Sequence, residues 1–136
     1  MNLNKNFQPI KCTNLKDITL LDTGEIISKI FDDIYFYPNK GAEETDHTFI
    51  NGNNIPERWH DELNNQFNKS FFIIGETGFG TGLNFLCTWN KWREFNKNKN
   101  KKNITKKTLY YISTELHPLT FECLKKIIST YNPFPE

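Results

Sequence analysis

Ser70-Phe71-Phe72-Ile73-Ile74-Gly75-Glu76-Thr77-Gly78-Phe79-Gly80-Thr81-Gly82-Leu83-Asn84-Phe85-Leu86-Cys87-Thr88-Trp89-Asn90-Lys91-Trp92 is the stretch whose reading decides the fold. It opens on a short apolar run that does not alternate with polar residues. Such a run, rich in Phe and Ile, predicts a strand buried on both faces, as in a parallel sheet. It closes on an amphipathic run in which Phe85, Trp89 and Trp92 recur at i, i+4 and i+7, the apolar face of a helix. Alternating glycines lie between the two, so the order is strand, glycine loop, helix. Glycine suits the join because a tight turn needs backbone angles that a Cβ penalises. A ligand on the loop also needs the backbone to come close. The helix N-terminus then offers it free N–H groups and a partial positive charge.

Several loop chemistries compete for this pattern. A Walker A loop carries Lys and then Ser or Thr directly after its last glycine. Gly75 and Gly80 have the right gap, but Thr81-Gly82 follows, which excludes that class of nucleoside triphosphate site. A dinucleotide fingerprint needs G-x-G-x-x-G, and Gly78-x-Gly80-x-Gly82 is one residue short. Glu76, Gly78, Gly80 and Gly82 resemble, at every position, the E-x-G-x-G-x-G loop of class I S-adenosylmethionine (SAM) methyltransferases. In that loop the carboxylate ends the strand and receives the cationic amino-acid part of the cofactor, directly or through water. A glycine-rich turn without a ligand is the plainer reading, but such a turn rarely needs three alternating glycines.

Composition bounds the answer less sharply. A chain of 136 residues suits one domain, and a net charge of +1 neither demands nor excludes a nucleic-acid partner. Cys12, Cys87 and Cys123 are odd in number and lack C-x-x-C spacing. Cys87 and Cys123 fall inside helical patterns, where a small buried thiol is expected, and this suits a reducing, cytoplasmic location. His47, His60 and His117 are scattered, so no metal site is predicted. No apolar run approaches membrane-spanning length, and no signal-peptide pattern follows Met1.

Taken in order, residues 1–17 are polar and weakly patterned, a loose arm or an edge strand. Ile18-Thr19-Leu20-Leu21, Asp22-Thr23-Gly24 and Glu25-Ile26-Ile27 read as a hairpin with Gly24 in its turn. Phe31-Asp32-Asp33-Ile34-Tyr35-Phe36-Tyr37 reads as a strand or short helix that packs aromatics, with one acid as a cap. Residues 42–50 begin a helix with acids in its first turn, and Asn51-Gly52-Asn53-Asn54 breaks it. Pro56 opens the next short helix. Residues 96–107 are mostly Lys and Asn, either a solvated loop or a phosphate-contacting one in which Lys97, Lys99, Lys101 and Lys102 are the candidates. Thr108-Leu109-Tyr110-Tyr111-Ile112-Ser113 predicts a second buried strand. Glu115 follows it, where nucleotide-binding α/β folds place the acid that bonds ribose hydroxyls. A plain strand-end acid or helix cap is the other reading of Glu115. His117-Pro118 starts the last helix, with Leu119, Phe121, Leu124, Ile127, Ile128 and Tyr131 as its apolar positions, and Asn132-Pro133-Phe134-Pro135 ends it.

The predicted fold is α/β, the N-terminal half of a class I SAM-dependent methyltransferase (Rossmann-like) fold behind a small hairpin and helical extension. Residues 1–69 form the extension and residues 70–136 the incomplete cofactor-binding domain. Two parallel strands leave open edges and uncovered apolar faces. A fragment is therefore expected, either a truncated reading frame or a piece completed by a companion chain.

Longer motifs sharpen the resemblance. Phe31-Asp32-Asp33-Ile34-Tyr35-Phe36, Gly41-Ala42-Glu43-Glu44-Thr45, Phe49-Ile50-Asn51-Gly52-Asn53, Arg58-Trp59, the glycine loop with Leu83-Asn84-Phe85-Leu86, and Ser113-Thr114-Glu115-Leu116-His117-Pro118-Leu119 stand in a telling order. Together they resemble the methyltransferase domain of the bacterial tRNA 5-methylaminomethyl-2-thiouridine biosynthesis (MnmC-like) family, from about residue 22 to residue 135. The resemblance implies methyl transfer from SAM to the exocyclic amine of 5-aminomethyl-(2-thio)uridine at the tRNA wobble position. It implies that Glu76, Gly78, Gly80 and Gly82 bind the methionine end of SAM and Glu115 its ribose. Tyr35 and Glu44, in the two upstream segments, would fold over the cofactor. Many family members also carry an FAD-dependent oxidoreductase, of which nothing is present here. The family's D-x-F-x-P-x-x-N-P motif, whose acid lies at the catalytic site, is likewise not in this sequence. Asp33 is the catalytic candidate within the chain, with Asp32 beside it. The alternatives that stay open are a nicotinamide-dinucleotide oxidoreductase domain and a non-catalytic remnant.

Overall fold

Residues 10–38, 40–64, 69–97 and 107–130 are described by the computed structural model. They build one three-stranded sheet of order β1-β2-β3 and one two-stranded sheet, β4-β5. Strands β1 (Ile18–Leu20) and β2 (Ile26–Ser28) are antiparallel, with Ile18 opposite Ser28 and Leu20 opposite Ile26. Gly24 takes φ +88° in the turn between them, which is the predicted hairpin. The short strand β3 (Asp33–Ile34) pairs with β2. Residue 13 ties the start of the chain to its other end. Thr13 donates its N–H to Pro118 O and accepts that of Thr120, at 2.9 and 3.0 Å.

Helix α1 (Gly41–Thr45) is continued by a wider π-helix over Asp46–Asn51, so the helix expected at residues 42–50 is present in two geometries. Helix α2 spans Ile55–Asn64 with Pro56 in its first turn, where a missing N–H costs nothing. Then come β4 (Phe71–Thr77), α3 (Leu83–Lys97) and β5 (Thr108–Thr114). The strands β4 and β5 are parallel and in register from Phe71 opposite Thr108 to Thr77 opposite Thr114. Helix α4 spans Phe121–Thr130. The Lys/Asn stretch at 98–106 lies outside the described residues, as do Tyr131 and the Asn-Pro-Phe-Pro stop. Lys97 forms the last turn of α3.

The core is centred on Trp59, 1% exposed. Its indole meets Phe72 edge-on at 6.2 Å, Trp92 edge-on at 5.1 Å and Phe95 at 5.5 Å. The Arg58 guanidinium lies 5.0 Å from the Phe72 ring centre, covering the same ring from outside. Helices α2 and α3 thereby close over one face of the parallel sheet.

Three sequence expectations need correction. The strands are not buried on both faces. Phe72 is buried, but Phe71, Ile73, Tyr110 and Ile112 on the opposite face are 46–59% exposed, since no described element covers them. The inward face of α3 is Leu83, Cys87, Thr88 and Trp92, while Trp89 is exposed. Helix α1 packs on α3, and small side chains at Cys87 and Thr88 let the two helices approach. The last helix starts at Phe121 rather than at His117-Pro118. The Thr13–Leu119 bridge keeps that segment extended, and the Thr120 hydroxyl then caps α4 by accepting the Cys123 N–H at 3.4 Å. Its inward face is accordingly Cys123 and Ile127, with Phe121 and Ile128 outside.

Candidate functional site

The carboxyl ends of β4 and β5 lie side by side, and each delivers an acid. Glu76 stands opposite Ser113 in the ladder. Its Oε2 accepts the Ser113 hydroxyl at 2.7 Å and its Oε1 accepts the Asn84 amide at 3.0 Å. Asn84, in the first turn of α3, in turn accepts the buried Thr45 hydroxyl of α1 at 2.9 Å. Burial pushes the Tyr111 hydroxyl up, and the negative charge of the neighbouring Glu76 carboxylate pushes it further. Tyr111 therefore stays neutral beside that carboxylate.

The glycine loop crosses between the strands and α3. Gly78, Gly80 and Gly82 all have positive φ, +82°, +53° and +78°. Other residues rarely hold such angles, so the alternating pattern is a backbone requirement. The loop is tied to the end of β5, for Gly78 N and Phe79 N both donate to Thr114 O, at 2.8 and 3.2 Å. A Cβ at Gly75, Gly78 or Gly80 would meet nothing within 4 Å, so the loop borders open space there. Gly82 is different. It is buried, and a Cβ would stand 2.8 Å from the Phe79 ring, so its bareness seats that ring.

Glu115 reaches back over the loop. Its Oε2 accepts Gly80 N–H and its Oε1 accepts His117 N–H, each at 2.8 Å. Partial burial pushes its pKa up, but backbone N–H groups of His117, Gly80 and Leu116 outweigh that and hold the carboxyl below its ordinary value. It is an anion with one oxygen on the glycine loop and the other on the backbone that follows β5.

Three adjoining clefts open along this rim. The largest, about 420 Å3, is bordered by the β4 edge with Glu76 and Gly78, by Asn84, and by Phe49, Arg58 and Tyr111. A second of about 240 Å3 has Tyr35, Glu44, Thr45, Gly78, Gly80 and Asn84 on its walls. A third of about 170 Å3 is bordered by Asp33, Tyr35, Gly80, Glu115 and His117. Shared walls at Gly78, Gly80, Tyr35 and Asn84 join them. The structure therefore places Asp33, Tyr35, Glu44, Glu76, Gly78, Gly80 and Glu115 along one rim, and Gly82 behind it. Asp33 and Glu44 are exposed, and the Asp33 carboxylate accepts the N–H of Ile34 at 2.8 Å. Burial pushes the Tyr35 hydroxyl up. Among the described residues, no group of three or more His, Cys, Asp or Glu could hold a metal ion.

Asn84, Thr45, Ser113 and Tyr111 went unassigned in the sequence. A usable signal existed for Asn84, a polar side chain in the first helical turn after the loop. Nothing in the sequence pairs Thr45 with it, 39 residues away.

Parallel strands with an acid at each carboxyl end, a glycine crossing between them and open clefts above define an α/β protein, in a class whose ligands bind at the strand ends. No protein-family model matches the chain. In sequence it is related to the MnmC proteins. It is 42% identical over 105 residues to the tRNA 5-methylaminomethyl-2-thiouridine biosynthesis bifunctional protein MnmC of Vibrio campbellii, a match covering 77% of the chain and 15% of that protein. It is 41% identical over 115 residues to the protein of the same name from Vibrio vulnificus, covering 85% of the chain and 16% of the relative. The Leptospira borgpetersenii protein is 44% identical over 110 residues, 81% of the chain and 15% of the relative. The chain thus spans about 15% of the length of these curated relatives. The resemblance to MnmC-like proteins read from the motifs is borne out at that level. Among the described residues, no helix is long and apolar enough to cross a membrane.

Proposed function

We propose that this chain is the SAM-binding part of a tRNA methyltransferase that acts on the exocyclic amine of 5-aminomethyl-(2-thio)uridine at the wobble position. The observation that carries the reading is the pairing of Glu76 and Glu115 across a loop whose three glycines all take positive φ. The residues fit the cofactor. Open space lies over Gly75, Gly78 and Gly80, and an anion stands at each end of the crossing. When bound, SAM supplies a methyl group on a sulfonium for in-line displacement. Glu76 would hold its ammonium and Glu115 its ribose hydroxyls, each carboxylate having lone pairs beyond those used in the protein. Tyr35 and Glu44 would wall the pocket. A carboxylate would orient the acceptor amine and take its proton, since only the neutral amine attacks, and Asp33 is the candidate within this chain, with Asp32 beside it. The family's main acid belongs to the D-x-F-x-P-x-x-N-P motif, which these 136 residues do not contain. The reading therefore assigns that acid to the rest of the domain. The uncovered sheet face supports that division. A cytoplasmic location and a tRNA partner belong to the same reading.

Titration calorimetry of the purified chain tests it against a nicotinamide oxidoreductase, which shares the strand, loop and ribose acid. Saturable heat with SAM and none with NADH is expected. Binding of NADH alone would replace the reading, and binding of neither would leave a non-catalytic remnant.

A further inference from the structure

Three side chains from three elements lead to one carboxylate. Thr45 comes from α1, Asn84 from α3 and Ser113 from β5, while Glu76 belongs to β4. The order of donation is fixed by chemistry. Thr45 can give its hydroxyl proton to Asn84 Oδ1, which leaves the Asn84 amide pointing at Glu76 Oε1. Ser113 holds the other oxygen at 2.7 Å. A carboxylate has about four lone-pair sites, two on each oxygen, and Asn84 occupies one on Oε1 while Ser113 occupies one on Oε2. One acceptor direction is left on Oε1. Asn84 also borders both the largest cleft and the Tyr35–Glu44 cleft, and Glu76 borders the largest beside it.

We propose that Asn84 is the positioning residue for Glu76, aiming its remaining lone pair at the amino-acid arm of the cofactor and thereby selecting ligands that carry that arm. Thr45 locks the Asn84 amide in the donating orientation, so α1 is linked through two hydrogen bonds to the end of β4. The proposal rests on the SAM reading above and deepens it. It makes Asn84 a specificity residue that need not touch the reacting atoms.

The test compares two probes, SAM and 5′-methylthioadenosine, which keeps the adenosine and thioether but lacks the amino-acid arm. Both are titrated into the full chain and into Asn84→Ala, Asn84→Asp and Ser113→Ala. Loss of one hydrogen bond to a charged group predicts about 10-fold weaker SAM binding in Asn84→Ala. Affinity for 5′-methylthioadenosine stays within about twofold, since its binding does not involve the aimed lone pair. Asn84→Asp keeps the acceptor for Thr45 but sets a second anion beside Glu76, so it loses SAM binding more than Asn84→Ala. Ser113→Ala, which leaves the helix start untouched, loses SAM binding by a smaller factor. Equal losses for both probes would mean that Asn84 only shapes the loop, and unchanged SAM affinity would remove it from the site. Either result overturns the proposal. A wild-type chain that binds 5′-methylthioadenosine but not SAM overturns the aiming role alone, whereas one that binds neither overturns the cofactor reading beneath it.

Discussion

The two faces of the β4–β5 sheet have similar composition and opposite surroundings. On one, Phe72, Ile74, Leu109 and Tyr111 lie under Trp59, Trp92 and Phe85. On the other, Phe71, Ile73, Tyr110 and Ile112 are half exposed. An apolar run records what a strand was built to bury, whatever covers it at present. The covered face holds the fold together, and the bare one marks where a further layer would pack.

The comparison can be broken most forcefully at Trp59. Replacing it with Ala empties the centre of the covered face and is expected to cost about 3–5 kcal/mol in a urea unfolding series. A loss below about 1 kcal/mol, small for any buried truncation, would mean that the indole is not the keystone described here. Glycine substitutions come next. Gly78→Ala and Gly82→Ala each force a side chain into the left-handed region, a cost of about 1–2 kcal/mol. Gly82→Ala must also displace the Phe79 ring, so its thermal melt falls further than that of Gly78→Ala. Equal shifts would show that Phe79 packing contributes nothing.

Glu115 gives a smaller, pH-dependent effect. Its folded pKa lies below the ordinary value of 4.5, so its stabilisation is present above that value and is lost as pH falls through the folded pKa. The melting-temperature gap between wild type and Glu115→Gln is widest above pH 4.5 and closes in acid. A gap that does not change with pH would mean that the carboxylate does not bond the loop N–H groups. The smallest effect is expected on the bare face, where Ile73→Thr changes stability by no more than about 0.5 kcal/mol. A larger loss would mean that this face is covered in solution, by a second copy of the chain.

Strand, glycine crossing and helix were legible because each follows from local chemistry, and the three positive φ angles explain why alternating glycines mark the loop. Glu115 was legible because a strand end is a definite place. The inward face of α3 was legible only in part. Phe85 and Trp92 of the expected stripe do lie over the covered face, but Trp89 is exposed and the small Cys87 and Thr88 are buried. The start of α4 was hidden by the bridge from Thr13 to Leu119, a contact between segments far apart in the chain. The Thr45–Asn84–Glu76 chain was hidden for the same reason: each link is a side-chain contact between elements, which no periodicity encodes.

The central claim is that the glycine crossing between the two acids is the cofactor site. Amide NMR of the chain labelled only at its seven glycines tests it directly. On saturation with SAM, Gly78 and Gly80 should shift most, while Gly24 in the hairpin and Gly52 after the π-helix stay still. Unmoved Gly78 and Gly80 signals, or equal movement at Gly24 and Gly52, would contradict the account.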